Sequence, residues 1–281
     1  MPVRFGRSLR AQLRAMGVRR GGVLLVHASL RWVGVGPHEV MAALLDVLGP
    51  KGTLVVPAFT PGNSKTSLAY LEATRRMTEQ QRVDYDERML AFEPGKTPSE
   101  GMGVLAETVR LHPDAERSAH PQTSFAAVGF RAADLVGGHD EECHLGERSP
   151  LAGLYEAKAQ VLLLGVGYDV CSAFHLSEYL VDRQLPFREY GCWVLRGGER
   201  IWLPYKDVDL DDSDFGFLGE DFEAEDARRA EPVVRRRLLG GAAARLFPLT
   251  DAVDFATQWL TGNRPYGMAT DQSQEAATSL H

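Results

Sequence analysis

Two short, unbroken apolar runs stand near the start of the chain, Val23-Leu24-Leu25-Val26 and Thr53-Leu54-Val55-Val56. The first runs into His27-Ala28-Ser29 and the second stops at Pro57. Runs of this kind, without polar alternation, read as strands buried on both faces. Between them, Pro37 to Gly49 carries apolar residues at helical spacing (Val40, Leu44, Leu45, Val47, Leu48), with Pro37 at its start. Gly49-Pro50-Lys51-Gly52 then supplies a helix stop and a turn. Strand, helix and strand in this order predict a βαβ unit and a parallel sheet with helices on its faces.

The pattern breaks from Pro61 to Pro98, which is rich in both charges and has no strand signal; Leu68 to Met77 alone has helical character. A segment this long is expected to be a lid or binding loop. Helical spacing resumes at Gly103 to Leu111, and Ser124–Val128 and Val161–Leu164 read as further strands. Gly165-Val166-Gly167 follows the last of these, and a helix is expected from Ala173 to Asp182. Trp193-Val194-Leu195 and Ile201-Trp202-Leu203, with Gly197-Gly198 between them, form a hairpin signal. An acidic stretch from Asp207 to Asp226 and a helix from Asp251 to Leu260 complete the ordered pattern. The expected fold is α/β, a central, mostly parallel mixed sheet flanked by helices, in one domain over residues 1–262. Residues 263–281 are polar and are expected to be disordered.

Composition narrows the functional classes. The chain has 281 residues and a formal net charge of −7, which disfavours nucleic acid, whose phosphates need a basic face. The same balance suits a cationic small molecule. Three scattered cysteines without a CxxC pair indicate free thiols in a reducing compartment. Met1 to Gly17 reads as an amphipathic helix instead of a signal peptide, and no apolar run is long enough to span a membrane. A cytoplasmic protein is expected, and a homodimer is left open.

The densest chemistry lies at Asp169 to Glu178. A buried strand ends in a glycine turn, Asp169 follows, and the next helix carries His175 and Glu178 three residues apart on one face. Ligands of α/β sheets gather at such strand ends, and a histidine beside a carboxylate can act as a general base. A helix cap followed by a surface His–Glu pair is the plainer alternative. Cys171 and His175, with His139, Cys143 and His144 nearby in sequence, raise the option of zinc, but no second tight pair completes a ligand spacing, and no metal is expected. His27-Ala28-Ser29-Leu30 can offer backbone N–H groups to a phosphate or can be an ordinary turn. Arg117, Ser118, His120 and Ser124 have the side chains of an anion site or of a capped loop. The carboxylates from Asp207 to Glu223 can line a cationic cleft or form a solvated face.

In chain order, Val26-His27-Ala28-Ser29-Leu30, Gly49-Pro50-Lys51-Gly52-Thr53, Phe92-Glu93-Pro94, Arg117-Ser118-Ala119-His120-Pro121, Ser149-Pro150-Leu151 and Asp169, His175 and Glu178 resemble the aminoglycoside 3-N-acetyltransferase family. The likeness runs through roughly residues 8–260. It implies acetyl-coenzyme A as co-substrate, a polycationic aminoglycoside as acceptor, its 3-amino group as the acetylated position, and antibiotic resistance as the consequence. By position it makes His175 the catalytic base, with Glu178 beside it. It places Asp169 and Glu178 where acidic residues meet the acceptor or orient the base; Asp209 and Glu223, from the acidic stretch, are further candidates for the acceptor or for meeting His175 in space. It places His27, Ser29, Leu30, Arg31, Arg117, Ser118, His120 and Ser124 on coenzyme A. The insertion from Pro61 to Glu93 departs from the family pattern and would border the acceptor. A different amine from a biosynthetic pathway, a metal-dependent hydrolase and a non-catalytic binding module are the rival readings.

Overall fold

The computed structural model describes residues 2–265, with side chains described from residue 9 onward. Residues 266–281, most of the expected disordered tail, lie outside the described residues.

The helix expected at the N-terminus is α1 (Pro2–Met16). The βαβ unit follows as β1 (Val23–Ala28), α2 (Pro37–Leu48) and β2 (Thr53–Pro57). Next come α3 (Leu68–Thr74), α4 (Glu79–Arg88), α5 (Gly103–Arg110), β3 (Glu116–Arg117), β4 (Phe125–Gly129), α6 (Ala132–Val136) and α7 (Pro150–Glu156). The chain then forms β5 (Gln160–Leu164), α8 (Phe174–Leu180), β6 (Phe187–Arg196), β7 (Glu199–Val208), α9 (Phe215–Asp226), β8 (Arg235–Leu239), β9 (Ala242–Pro248) and α10 (Leu249–Asn263).

The main sheet has the order β3-β4-β2-β1-β5-β9-β8. Its centre is parallel: β1 pairs with β2 and with β5 in that sense. The flanks are antiparallel, so the sheet is mixed; β4 and β9 are the strands that run against the rest.

Alternation along the strands divides the core between the two faces. Leu25, Val55, Val161 and Leu163 point to the face covered by α6 through α10, where Phe125, Phe174, Phe215 and Phe222 are fully buried. Leu24, Val26, Leu54, Val56, Leu162 and Leu164 point to the face covered by α1, α2 and α5. Each such side chain contributes roughly 1.5–3 kcal/mol of hydrophobic stabilisation. Both faces being covered is why these strands read as continuous apolar runs.

The hairpin is longer than its sequence signal: β6 and β7 pair from Phe187↔Val208 to Arg196↔Glu199, with Gly197 and Gly198 both at positive φ in the turn. Residues 61–98 pack on this hairpin instead of hanging free. Ser64 Oγ donates to Gly191 O at 2.6 Å, Phe92 N to Trp193 O at 2.9 Å, and the Lys65 ammonium lies over the rings of Trp193 and Trp202.

Candidate active site

The three central parallel strands end at Ala28, Pro57 and Leu164, and a cavity of about 750 Å³ opens over those ends. Its wall includes residues 27–31, Phe59, the segment 101–104, Val166, and residues 169–172 with His175. Gly165 makes the close approach at its base possible. It has φ +68°, and a Cβ there would stand 2.4 Å from Ser29 O, so only glycine lets β5 turn against the strand-end of β1.

His175 lies in the first turn of α8, its ring against Phe215 with 4.7 Å between centroids. Its Nδ1 is 2.6 Å from Glu178 Oε2, a pairing that one helical turn brings about directly. Glu178 is 2% exposed, and its other oxygen, Oε1, accepts from Asp211 N at 3.0 Å and Arg264 Nη1 at 2.5 Å. Arg264 is in turn held by Asp214, through Nε to Oδ2 at 2.8 Å and Nη2 to Oδ1 at 2.6 Å. Both carboxylate oxygens of Glu178 are thus committed. Nδ1–H of His175 donates to it, which leaves the Nε2 lone pair as the basic position of the ring.

A second imidazole stands nearby. His27, the penultimate residue of β1, is 5% exposed and shares the cavity wall with His175. Burial, with a smaller contribution from the His175 charge, lowers its pKa to about 4, so it is neutral at physiological pH. Its Nε2 is enclosed and has no hydrogen-bond partner among the described residues, which costs about 1–3 kcal/mol for such a group.

Of the other expected site residues, Ser29, Leu30, Arg31 and Asp169 all line this cavity. Asp209 lies instead in a neighbouring cavity of about 390 Å³, which also touches Glu178 and Arg264. Glu223 does not reach His175. It is buried on α9 and ion-paired to Arg236 of β8 and Arg245 of β9, and it does not line the strand-end cavity.

The expected coenzyme A residues of the Arg117–Ser124 segment do not line this cavity. Arg117 gives Nε to Ser124 Oγ at 3.0 Å, Nη1 to Pro94 O at 3.1 Å and to Thr97 O, and Nη2 to Ala58 O at 2.6 Å. Ser118 and Ser124 are buried, as is His120, whose Nδ1 accepts from Gln122 N and Thr123 N and whose ring stacks on His139. Their donors tie strands and loops together instead of facing the cavity. Cys171 is fully buried and its thiol is pushed up to about 12, so it is a poor thiolate ligand, and among the described residues no three His, Cys, Asp or Glu converge on a metal position. Arg264 was missed because it falls in a segment whose composition reads as a polar tail; its one signal was a cation directly after the last amphipathic helix.

The family model for aminoglycoside 3-N-acetyltransferase matches residues 25–261. The chain belongs to the aminoglycoside 3-N-acetyltransferase family. It is 35% identical to the SPbeta prophage-derived aminoglycoside N(3')-acetyltransferase-like protein YokD of Bacillus subtilis (strain 168), across 92% of this chain and 93% of that one. The crystal structure of YokD superposes with a TM-score of 0.83. It is 33% identical to aminoglycoside N(3)-acetyltransferase III of Pseudomonas aeruginosa, across 88% and 90% of the two chains. The CoASH complex of AAC-IIIb is 27% identical with a TM-score of 0.79, covering 93% of this chain and 97% of that chain. An N-acetyltransferase of this family needs a base for an amine and room for a thioester. The cavity has room for a bound substrate and carries the His175 imidazole on its wall.

Proposed function

We propose that this protein transfers an acetyl group from acetyl-coenzyme A to the 3-amino group of an aminoglycoside, with His175 as the general base. The observation that carries this reading is His175 on the wall of the cavity above the central strands, with Glu178 behind it on Nδ1. The acceptor arrives mostly as ammonium ions, which the exposed carboxylates of Asp169 and Asp212 at the cavity attract.

As the free amine attacks the acetyl carbonyl carbon, its proton passes to Nε2 of His175. The imidazolium so formed keeps its Nδ1–H on Glu178, which stabilises it while Arg264 and the Asp211 amide hold the carboxylate in place. The carbon–sulfur bond then breaks and the thiolate leaves with little need of acid, since a free thiol has a pKa near ~8.5. Transfer is direct and uses no enzyme nucleophile, in keeping with the buried, high-pKa thiol of Cys171. Arg31, exposed at the cavity beside Ser29 and Leu30, would meet coenzyme A phosphates. Residues 61–98, docked on the hairpin, would border the acceptor without forming the catalytic wall. The setting is cytoplasmic, where acetyl-coenzyme A is made.

A panel of aminoglycosides and simple polyamines, assayed by thiol release with acetyl-coenzyme A and by mass of the product, tests this. Aminoglycosides carrying a free 3-amino group should turn over and analogues blocked there should not. Equal turnover of both sets would overturn the assigned regiochemistry, and no thiol release with any aminoglycoside would overturn the function.

A further inference from the structure

The reaction builds negative charge on the acetyl carbonyl oxygen, and His175, as acceptor of the amine proton, cannot also stabilise that charge as a neutral donor. His27 is the neighbouring group with the right properties. Strand β1 is otherwise Val, Leu, Leu, Val and Ala, and an aliphatic side chain would sit at position 27 without leaving a buried nitrogen unpaired. The position faces the same side of the sheet as Leu25, toward α8, and forms part of the wall that His175 shares. With Nε2 enclosed, Nδ1 is the ring nitrogen that a ligand in the cavity can meet.

Resting on the acetyl-transfer reading, we propose that His27 is a further catalytic residue: its neutral imidazole donates an N–H to the thioester carbonyl oxygen and holds the oxyanion of the tetrahedral intermediate. An enclosed lone pair is cheaper than an enclosed N–H, so the enclosed Nε2 carries no proton and Nδ1–H is the donor. Its depressed pKa serves this role, because the ring stays neutral in the working pH range and keeps one N–H and no charge to compete for the amine proton. The amine nitrogen bonds to carbon, the carbonyl π pair moves to oxygen and is held by His27, and the amine proton goes to His175. The carbonyl re-forms as the thiolate departs, and His27 exchanges no proton at any step. The imidazolium at His175 raises the acidity of the His27 N–H, so the two rings strengthen each other in the transition state.

The test compares His27→Leu with His27→Asn, whose amide N–H falls near the position of Nδ1. His27→Leu should hold or raise the melting temperature while lowering kcat by about 10²–10³-fold, the effect of removing one oxyanion donor, with KM for both substrates within about threefold. His27→Asn should recover most of that loss and keep the parent pH dependence of kcat/KM. Independently of turnover, infrared spectra of bound acetyl-coenzyme A with ¹³C at the carbonyl should show a lowered stretch in the parent and in His27→Asn, returning toward the free value in His27→Leu. Full turnover in His27→Leu, or an unchanged carbonyl band, would overturn the proposal. A lower melting temperature with kcat per folded enzyme intact would do the same, by assigning His27 a packing role. If the parent itself releases no thiol, the function reading fails instead, and the band still reports on His27 alone.

Discussion

Replacing Glu178 by glutamine changes one atom and should disable the base. In the parent, Oε1 receives two donors, Asp211 N at 3.0 Å and Arg264 Nη1 at 2.5 Å, and Oε2 receives Nδ1–H of His175 at 2.6 Å. A glutamine has a single acceptor oxygen, and the side with two donors, one of them an arginine, claims it. The amide NH₂ then faces Nδ1 of His175, which must become an acceptor. The ring proton moves to Nε2 and the lone pair that takes the amine proton is gone. Restoring the productive tautomer means opposing two N–H groups in a site 2% exposed, at about 3–5 kcal/mol, or roughly 10²–10⁴-fold in kcat at 1.36 kcal/mol per decade. Steady-state thiol release against aminoglycoside and acetyl-coenzyme A gives kcat and both KM values. KM for acetyl-coenzyme A should stay within about threefold, since Glu178 does not line the strand-end cavity. A Glu178→Gln enzyme with kcat within about threefold of the parent would refute the tautomer argument.

Three further outcomes follow from residues outside the reacting pair. Arg117→Gln should destabilise the fold by about 2–4 kcal/mol in urea titration while leaving coenzyme A affinity within about twofold, because its donors serve Ala58, Pro94 and Thr97; a tenfold weaker affinity would return the loop to the cofactor site. Glu223→Gln should likewise lower the melting temperature with kcat unchanged, since its partners are Arg236 and Arg245, and a selective loss of acceptor affinity would contradict this. Buried neutral histidines should make the protein acid-labile. Burial lowers His27 and His139 to about 4 and His144 to about 3, so the unfolded chain binds protons below about pH 6.5 that the folded one refuses. Stability is full above that value and falls as pH drops toward 4, by roughly 3 kcal/mol for His27 alone. Urea midpoints flat between pH 4 and 7 would contradict it.

The central strands and the His175–Glu178 pair were legible because each depends on local information. Apolar runs at 23–26, 53–56 and 161–164 report burial on both faces, and a three-residue spacing on a helix enforces contact. Strands β8 and β9 were not legible: Arg235, Arg236 and Arg237 sit on an edge strand, where exposed charge hides the strand signal. For Arg117 and Glu223, residue type records charge but not the partners that the fold supplies, here Ser124 and Ala58 for Arg117 and Arg236 and Arg245 for Glu223. Arg264 shows the reverse, since its partners Glu178 and Asp214 are 86 and 50 residues away and only the tertiary fold joins them.

The central claim, that His175 takes the amine proton, is tested most directly by His175→Ala in single-turnover thiol release, with acetyl-coenzyme A and aminoglycoside affinities measured on the same sample. The account predicts a fall of about 10²–10⁴-fold in the transfer rate with both affinities close to the parent. A transfer rate that survives the substitution would contradict it.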